Sequence, residues 1–286
     1  MITIPSGEQQ KVQATIDNIV DQLIAMGADR TTILIGVGGG VVTDMTGYVA
    51  SIFLRGVQFA FVPTTVLAMT DAAIGGKNGI NVGLYKNMVG LIRQPLFIFY
   101  DYSLLRTLPK EEWVNGFAEV IKHACIHDAV MFTLLETQKI TYFQKDLPKL
   151  AKLIQRNVLI KTKTVQKDEF ETGERKLLNF GHTIGHAIEN LYHIPHGHAV
   201  SIGIGVACKI SEQLTGFKQT DKVTSLLRQY GLPPQFSFDK EAVWQLLLAD
   251  KKISTGSIHY VVLNKIGKAS TLLLPLEQLQ TLIQQL

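Results

Sequence analysis

The chain has 286 residues, 46% of them hydrophobic and 18% charged, and a net charge of +4 with histidine neutral. That length allows two domains of ordinary size, each with its own core. The charge is too mild and too dispersed to make nucleic acid the partner, but it suits a cleft that takes a small anion.

From the N-terminus, the opening MITIPSGEQQK has no basic segment followed by an apolar one, so no secretory signal is expected. No apolar run approaches the roughly 20 residues of a membrane span. The two cysteines, Cys125 and Cys208, read as reduced, buried thiols. The expectation is a cytoplasmic protein with no membrane partner. Val12, Ile16, Ile19, Val20, Leu23 and Ile24 recur at helical spacing, with Gly27 as the C-cap. TTILIGVGGG is an apolar strand running into glycines, VVTDMTGYVASIFLRG is helical, and VQFAFVPTT and LFIFYD are further strands. This alternation predicts a parallel α/β sheet. After about Pro109 the pattern becomes helical, in KEEWVNGFAEVIKHACI, DLPKLAKLIQRNVLIKTKTVQ, LLNFGHTIGHAIENLY, AVSIGIGVACKISEQL and KEAVWQLLLADK. Only SIHYVVL and STLLLP near the end predict a small β-pair. An α/β half thus precedes a mainly helical half, and a cleft between them is the expected site.

GVGGGVVTD could hold phosphates, since backbone N–H groups at a helix N-terminus make an anion site. It is not the dinucleotide fingerprint, because Val41 stands where the third glycine belongs. The bland reading is a tight strand-to-helix turn, with Asp44 in the first helical turn as a cap-side carboxylate or a ligand contact. TDAAIGGKNGINVGLYKNMVG reads as a long loop carrying Asp71, Lys77, Asn81, Lys86 and Asn87. Loops at strand ends are where open α/β sheets place ligands, and lysine and asparagine can grip phosphate and hydroxyl groups.

Glu119 and Lys122 are three apart and share a helix face. Such a pair is usually a solvated salt bridge, but Phe117, Ala118, Val120, Ile121 and Ala124 make this one apolar in its surroundings. A carboxylate there needs a partner, and a metal ion is one. Five of the eight histidines, His182, His186, His193, His196 and His198, fall within 17 residues. Asn179, His182 and His186, at i, i+3 and i+7, are expected to face one way. HTIGH lacks the glutamate of the H-E-x-x-H zinc-protease motif. Two histidines of the stretch together with Glu119 would supply the three protein ligands of a catalytic zinc, leaving another histidine to move protons. Lys161, Arg175 and the DKK at Asp250 to Lys252 add positive charge. With Lys77 and Lys86 they could surround a substrate with two anionic groups.

GGGVVTDMTGYVAS, LRGVQFAFVPTTVLAMTDAAIGGKNGIN, KNMVG, GFAEVIKHACIHD, ERKLLNFGHTIGHAIE, HGHAVSIGIG and DKK run in one order over nearly the whole chain. Together they resemble the 3-dehydroquinate synthase family of sugar-phosphate cyclases. The resemblance implies an α/β, Rossmann-like NAD-binding domain over residues 1–109, incomplete at its N-terminus. It implies a mainly helical metal- and substrate-binding domain over residues 110–286. The fold is related to the glycerol and iron-dependent alcohol dehydrogenases. The family reaction converts DAHP, a phosphorylated keto-acid, to 3-dehydroquinate and phosphate in the shikimate pathway. It proceeds through alcohol oxidation, phosphate elimination, ketone reduction, ring opening and aldol closure, with NAD regenerated. It is a carbon–oxygen lyase reaction with no net redox change.

By motif, the resemblance assigns the metal, zinc or cobalt, to Glu119, His182 and His196. It assigns proton transfer near the phosphate to His186. It places Asp71, Lys77, Asn87, Lys122, Lys161, Arg175, Asn179 and one of Lys251 and Lys252 at the substrate. Arg55 matches an arginine given across a dimer interface, which implies a homodimer. Glu8, Lys11, Gly39, Gly40, Asp44, Thr64, Thr65, Lys86 and Thr107 match NAD-contacting positions.

The chain departs from the family pattern in three ways. Family members carry about 60 residues before GEQQK, the size of a βαβ pair, so this reads as a piece lacking that segment. Thr43 replaces a glycine before Asp44 and could crowd the pyrophosphate or cap the helix. HGHAV replaces HGEAV, which makes His198 a rival to His196, although His196 holds the motif's first position. The alternatives are a cyclase forming 2-deoxy-scyllo-inosose or a valiolone, a metal-dependent polyol dehydrogenase, or a nucleotide-binding protein without catalysis. Lys161 and Arg175 favour the keto-acid, because the other cyclases act on substrates without a carboxylate.

Overall fold

The computed structural model describes residues 1–83, 85–248, 253–254 and 256–286. In chain order, helix α1 (Gln13–Ala25) leads to strand β1 (Ile33–Gly38), α2 (Gly40–Ile52), β2 (Gln58–Pro63), β3 (Lys77–Val82) and β4 (Tyr85–Ile92). Helices α3 (Lys110–His127), α4 (Ala129–Thr137), α5 (Ile140–Gln144), α6 (Leu147–Lys167), α7 (His182–Tyr192), α8 (His196–Thr215), α9 (Thr220–Gln229) and α10 (Lys240–Leu248) follow. Strands β5 (Ile253–Ser254), β6 (Ser257–Lys265) and β7 (Lys268–Pro275) and helix α11 (Leu276–Gln284) complete the chain. Two compact units result: Met1–Glu112 with Leu147–Thr162, and Trp113–Asp146 with Lys163–Leu286. Among the described residues no helix is long and apolar enough to cross a membrane.

In the first unit, β1 and β2 pair in parallel from Ile33↔Gln58 to Gly38↔Pro63. Parallel neighbours need a crossover, which α2 supplies. Helix α1 ends as its sequence predicts. Gly27, at φ +70, lets Ala28 N–H reach Leu23 O at 3.0 Å and Gly27 N–H reach Ile24 O at 2.9 Å, the two bonds of a Schellman cap. Ile16, Leu23, Met45, Tyr48, Val49, Phe53, Phe59 and Phe61 form its core. The segment expected to be a strand at LFIFYD runs along β2, with Leu96 N–H on Phe59 O at 2.8 Å and Phe99 N–H on Phe61 O at 2.8 Å. Its ladder is a single parallel bridge, Phe61↔Ile98.

The region expected to be a long loop is instead a π-helical turn, Ala68–Ala72, followed by the antiparallel hairpin β3–β4. Its glycines misled the sequence reading because they are packing positions. Gly79 pairs with Gly90, and a Cβ on Gly90 would lie 2.3 Å from Asn78 O. Asp44 also departs from expectation: α2 begins at Gly40 and holds no acid in its first turn.

In the second unit, Phe117 of α3 stacks on Tyr230 at a centroid distance of 5.1 Å and meets Phe143 at 5.7 Å. The Tyr230 hydroxyl donates to the Gln138 carbonyl at 3.0 Å. The predicted terminal β-pair is β6 and β7, antiparallel, with β5 added on the outer edge of β6. Helices α7 and α8 meet backbone to backbone. A Cβ on Gly203 would stand 1.8 Å from Gly181 O, and one on Gly185 would stand 2.9 Å from Ala199 O. Replacing Gly203 with alanine should therefore lower stability by about 1–3 kcal/mol, as overpacking does. The check is a lower urea midpoint at unchanged m-value.

Candidate metal centre and anion-binding groups

Glu119 lies midway along α3 with no exposed surface. Its Oε2 pairs with Lys122 Nζ, one helical turn on. Its Oε1 lies 3.3 Å from His182 Nε2 and 3.2 Å from His196 Nε2. One ligand-type atom from each of Glu119, His182 and His196 can be chosen so that all three lie within 4.8 Å of one another. Burial would push the Glu119 carboxyl up, but Lys122, His182 and His196 hold it well below its ordinary value. Burial and Lys122 push the His182 imidazole down despite Glu119, toward the neutral, ligating form. Its Nδ1 lies 3.1 Å from Phe180 O. A carbonyl only accepts, so Nδ1 donates to it, and in the neutral ring Nε2 is the nitrogen left to ligate a metal. Burial pulls His196 down, but Glu119 and Glu189 overcome it and raise it to about 10. A carboxylate facing two ring nitrogens attracts a cation at the centre, and the donor set fits a divalent metal with three protein ligands.

Local sequence places each candidate ligand. Glu119 is on α3, His182 is the first residue of α7, and His196 is the first residue of α8. Between the last two, His193 caps α7 in the left-handed region at φ 52, and Pro195 precedes α8. Asn115, one turn before Glu119, accepts the Gly197 N–H at 2.5 Å and ties the start of α8 to α3. The His186 ring lies 5.1 Å from that of His182 and 6.2 Å from that of His196. His198 is half-buried and pushed down by burial. The grouped donor atoms include His196 and not His198.

Asn179 does not share a helix face with His182 and His186. It ends a short 3-10 turn, Glu174–Asn179, and Gly181 at φ +78 breaks the chain before α7. A Cβ on Gly181 would meet Val200 O at 2.9 Å, so the break is built into the α7–α8 contact. The Asn179 amide donates to Glu171 Oε1. Arg175, 2% exposed, gives its guanidinium to Glu169 O. Sequence reasoning missed Asn115, Glu189 and the acids of this loop. Glu189 was findable, since it falls seven residues after His182 on the same helical face.

In the first unit, Lys11 is buried and its Nζ reaches both Asp44 Oδ2 and Asn87 Oδ1 at 2.5 Å. Burial pushes the Asp44 carboxyl up, against Lys11. Asn81 joins the same group: it donates to Glu8 Oε1 at 2.8 Å and accepts the Asn87 N–H at 2.9 Å. Lys161, on the part of α6 in this unit, bonds Asp71 through Oδ1 at 2.9 Å and through its carbonyl at 2.6 Å. Thr64 N–H donates to Gly38 O at 2.9 Å, and Thr65 Oγ1 accepts from Ala68 N–H at 3.1 Å. Gly39 offers no side-chain cap to α2. A Cβ on it would press on Thr65 Cγ2 at 3.1 Å. The first-turn N–H groups of a helix have no partner within it, so this turn fits a phosphate. The Thr43 hydroxyl turns back to Gly40 O at 3.0 Å. Lys86 is half-buried, whereas Arg55, Lys77 and Thr107 are exposed. Lys251 and Lys252 lie outside the described residues.

Models of the 3-dehydroquinate synthase family match this chain: the N-terminal one over residues 1–115 and the C-terminal one over residues 116–253. The 3-dehydroquinate synthase of Thermodesulfovibrio yellowstonii is 41% identical over 275 residues, covering 94% of this chain and 77% of that one. Among solved structures, 2-epi-5-epi-valiolone synthase from Streptomyces hygroscopicus, with NAD+ and Zn2+ bound, is similar with a TM-score of 0.90 at 26% identity. That match covers 99% of this chain and 81% of the other. A 2-deoxy-scyllo-inosose synthase complexed with carbaglucose-6-phosphate, NAD+ and Co2+ has a TM-score of 0.84 at 25% identity, covering 99% and 82%.

The loop before Arg175 is held by one carboxylate. Burial acts to raise Asp168, but the N–H groups of Arg175, Gly173 and Thr172 and the Thr172 hydroxyl hold it down at about 2. A depressed folded value means the contribution is full above the unfolded value near 3.8 and fades as pH falls toward 2. Asp168→Ala should cost about 1–2 kcal/mol at pH 7. The gap between variant and parent in urea midpoints should close as the pH is lowered below about 4.

Proposed function

The chain belongs to the 3-dehydroquinate synthase family, and we propose that it converts DAHP to 3-dehydroquinate and inorganic phosphate, using NAD and one divalent metal. The observation that carries this reading is the convergence of Glu119, His182 and His196 within ligand distance of one another, at positions the family motifs assign to the metal. The 41% identity to a 3-dehydroquinate synthase, against 25–26% to the cyclases of other products, favours the keto-acid substrate.

When bound, NAD supplies a hydride acceptor and donor, and the metal supplies a Lewis acid for the reacting oxygen. The chain's own residues then bind, orient and move protons. Glu119, His182 and His196 would hold the metal, which we read as zinc. Gly39 and Gly40 at the start of α2 would take the pyrophosphate, with Glu8, Lys11, Asp44, Thr64, Thr65, Lys86 and Thr107 on the rest of the nucleotide. Lys77, Asn87, Lys122, Lys161, Arg175 and Asn179, with Asp71 holding Lys161, would fix the carboxylate, hydroxyls and phosphate of a flexible substrate in one pose. His186 lies beside the Glu119 triad, its ring 5.1 Å from that of His182. It would carry a proton near the departing phosphate. Arg55, exposed on a turn at φ 66, would serve a second copy in a cytoplasmic homodimer.

The test is phosphate release from DAHP with catalytic NAD and added Zn2+. Steady release without net NADH accumulation is expected, and no release under any metal supplement defeats the reading. His196→Ala should lose bound metal while His198→Ala keeps most of it. Metal content after dialysis decides between them, and the opposite pattern would move the ligand to His198.

A further inference from the structure

His196 has two faces, and only one belongs to the proposed metal triad. Its Nε2 looks at Glu119, while its Nδ1 lies 3.2 Å from Oε2 of Glu189. Glu189 is on α7, one helical turn before its end, and is 6% exposed. No motif assignment or comparison gives it a role. We infer that Glu189 is a positioning residue that accepts a hydrogen bond from the Nδ1–H of His196 and so turns its Nε2 toward the metal position.

An ionised carboxylate accepts and does not donate, so a hydrogen bond to it requires the proton on Nδ1. A metal that displaces the Nε2 proton then finds Nε2 as the ring's lone pair, with Nδ1–H kept by Glu189. His182 has the same arrangement by a different partner, the Phe180 carbonyl on its Nδ1. Both histidines therefore present Nε2 to Glu119, each with its other nitrogen held from behind. The two restraints differ in kind. Both histidines begin a helix, but Phe180 O is fixed by the main chain immediately before α7, whereas the restraint on His196 is a side chain. The Glu189 carboxylate supplies it, and a charged acceptor also makes the ring a better donor to a cation. A second metal ion on His186, Glu189 and His196, whose donor atoms also lie within 4.8 Å of one another, would compete for the same Nδ1 and is an outcome the test separates.

The inference rests on the metal reading above, and the experiment distinguishes the two. Zn2+ affinity and stoichiometry of the full chain are measured by competition with a chromophoric chelator, without substrate or NAD. The parent, His182→Ala, Glu189→Leu and Glu189→Gln are compared, with circular dichroism to show that each is folded. Glu189→Leu should weaken Zn2+ about 10- to 100-fold, and Glu189→Gln, which keeps an acceptor oxygen, should recover part of the loss. One ion per chain is expected. If His182→Ala weakens Zn2+ but Glu189→Leu binds like the parent, Glu189 has no positioning role and the metal reading stands. If the parent takes up a second ion that Glu189→Leu loses, Glu189 is itself a ligand. If neither His182 nor Glu189 matters, both readings fail. Should Glu189→Leu not fold, nitrogen-15 shifts of the parent's histidines with Zn2+ decide. His196 protonated at Nδ1 and metallated at Nε2 supports the inference, and the reverse overturns it.

Discussion

A carboxylate with no exposed surface sits in the middle of α3, and much of the second unit is arranged around the cost of putting it there. Burying an ion carries a penalty of several kcal/mol even after relaxation. Glu119 meets that penalty on both oxygens, with an ammonium on one and the protonated His196, beside His182, on the other. Those partners come from α3 itself and from the first residues of α7 and α8. Three helices are thereby held to one point. The loss of any one partner would leave charge in the interior, which is what makes the arrangement specific.

The polar groups of the first unit follow another rule. Lys11 is already engaged by Asp44 and Asn87, and Lys161 by Asp71. Under the proposed function these side chains belong to nucleotide and substrate. Binding would then be an exchange of partners, in which a ligand's phosphate or hydroxyl replaces an internal acceptor. Charges kept paired until a ligand arrives avoid desolvating a lone lysine, at the expense of part of the gross binding energy.

Much of this was legible from the residues. The helix–strand–helix–strand order of the first unit, the helical second unit and its terminal β-pair follow from periodicity and punctuation. The pairing of Glu119 with histidines followed from an acid in an apolar helix beside a histidine-rich segment. Three kinds of feature were not legible. The glycines of β3 and β4 look like loop residues, because only a register reveals that Gly79 faces Gly90. Asn179 looked helical with His182 because a left-handed Gly181 cannot be told from a helical one by spacing. Glu189 escaped for a third reason: its helical spacing from His182 was there to read, but its role depends on which ring nitrogen of His196 it meets.

Because Gly181, Gly185 and Gly203 set main chain against main chain, the gap between His182 and His196 is a dimension of the backbone and owes little to side-chain packing. Elsewhere in a core, a changed residue is absorbed by neighbouring rotamers before it travels. Along this contact most of the nearest atoms are main chain, so an added methyl would have to shift the helices themselves. The donor triangle is accordingly stiff, with an aperture fixed before any ion arrives. Discrimination between cations of different radius would then arise from helix spacing as much as from the chemistry of the ligands.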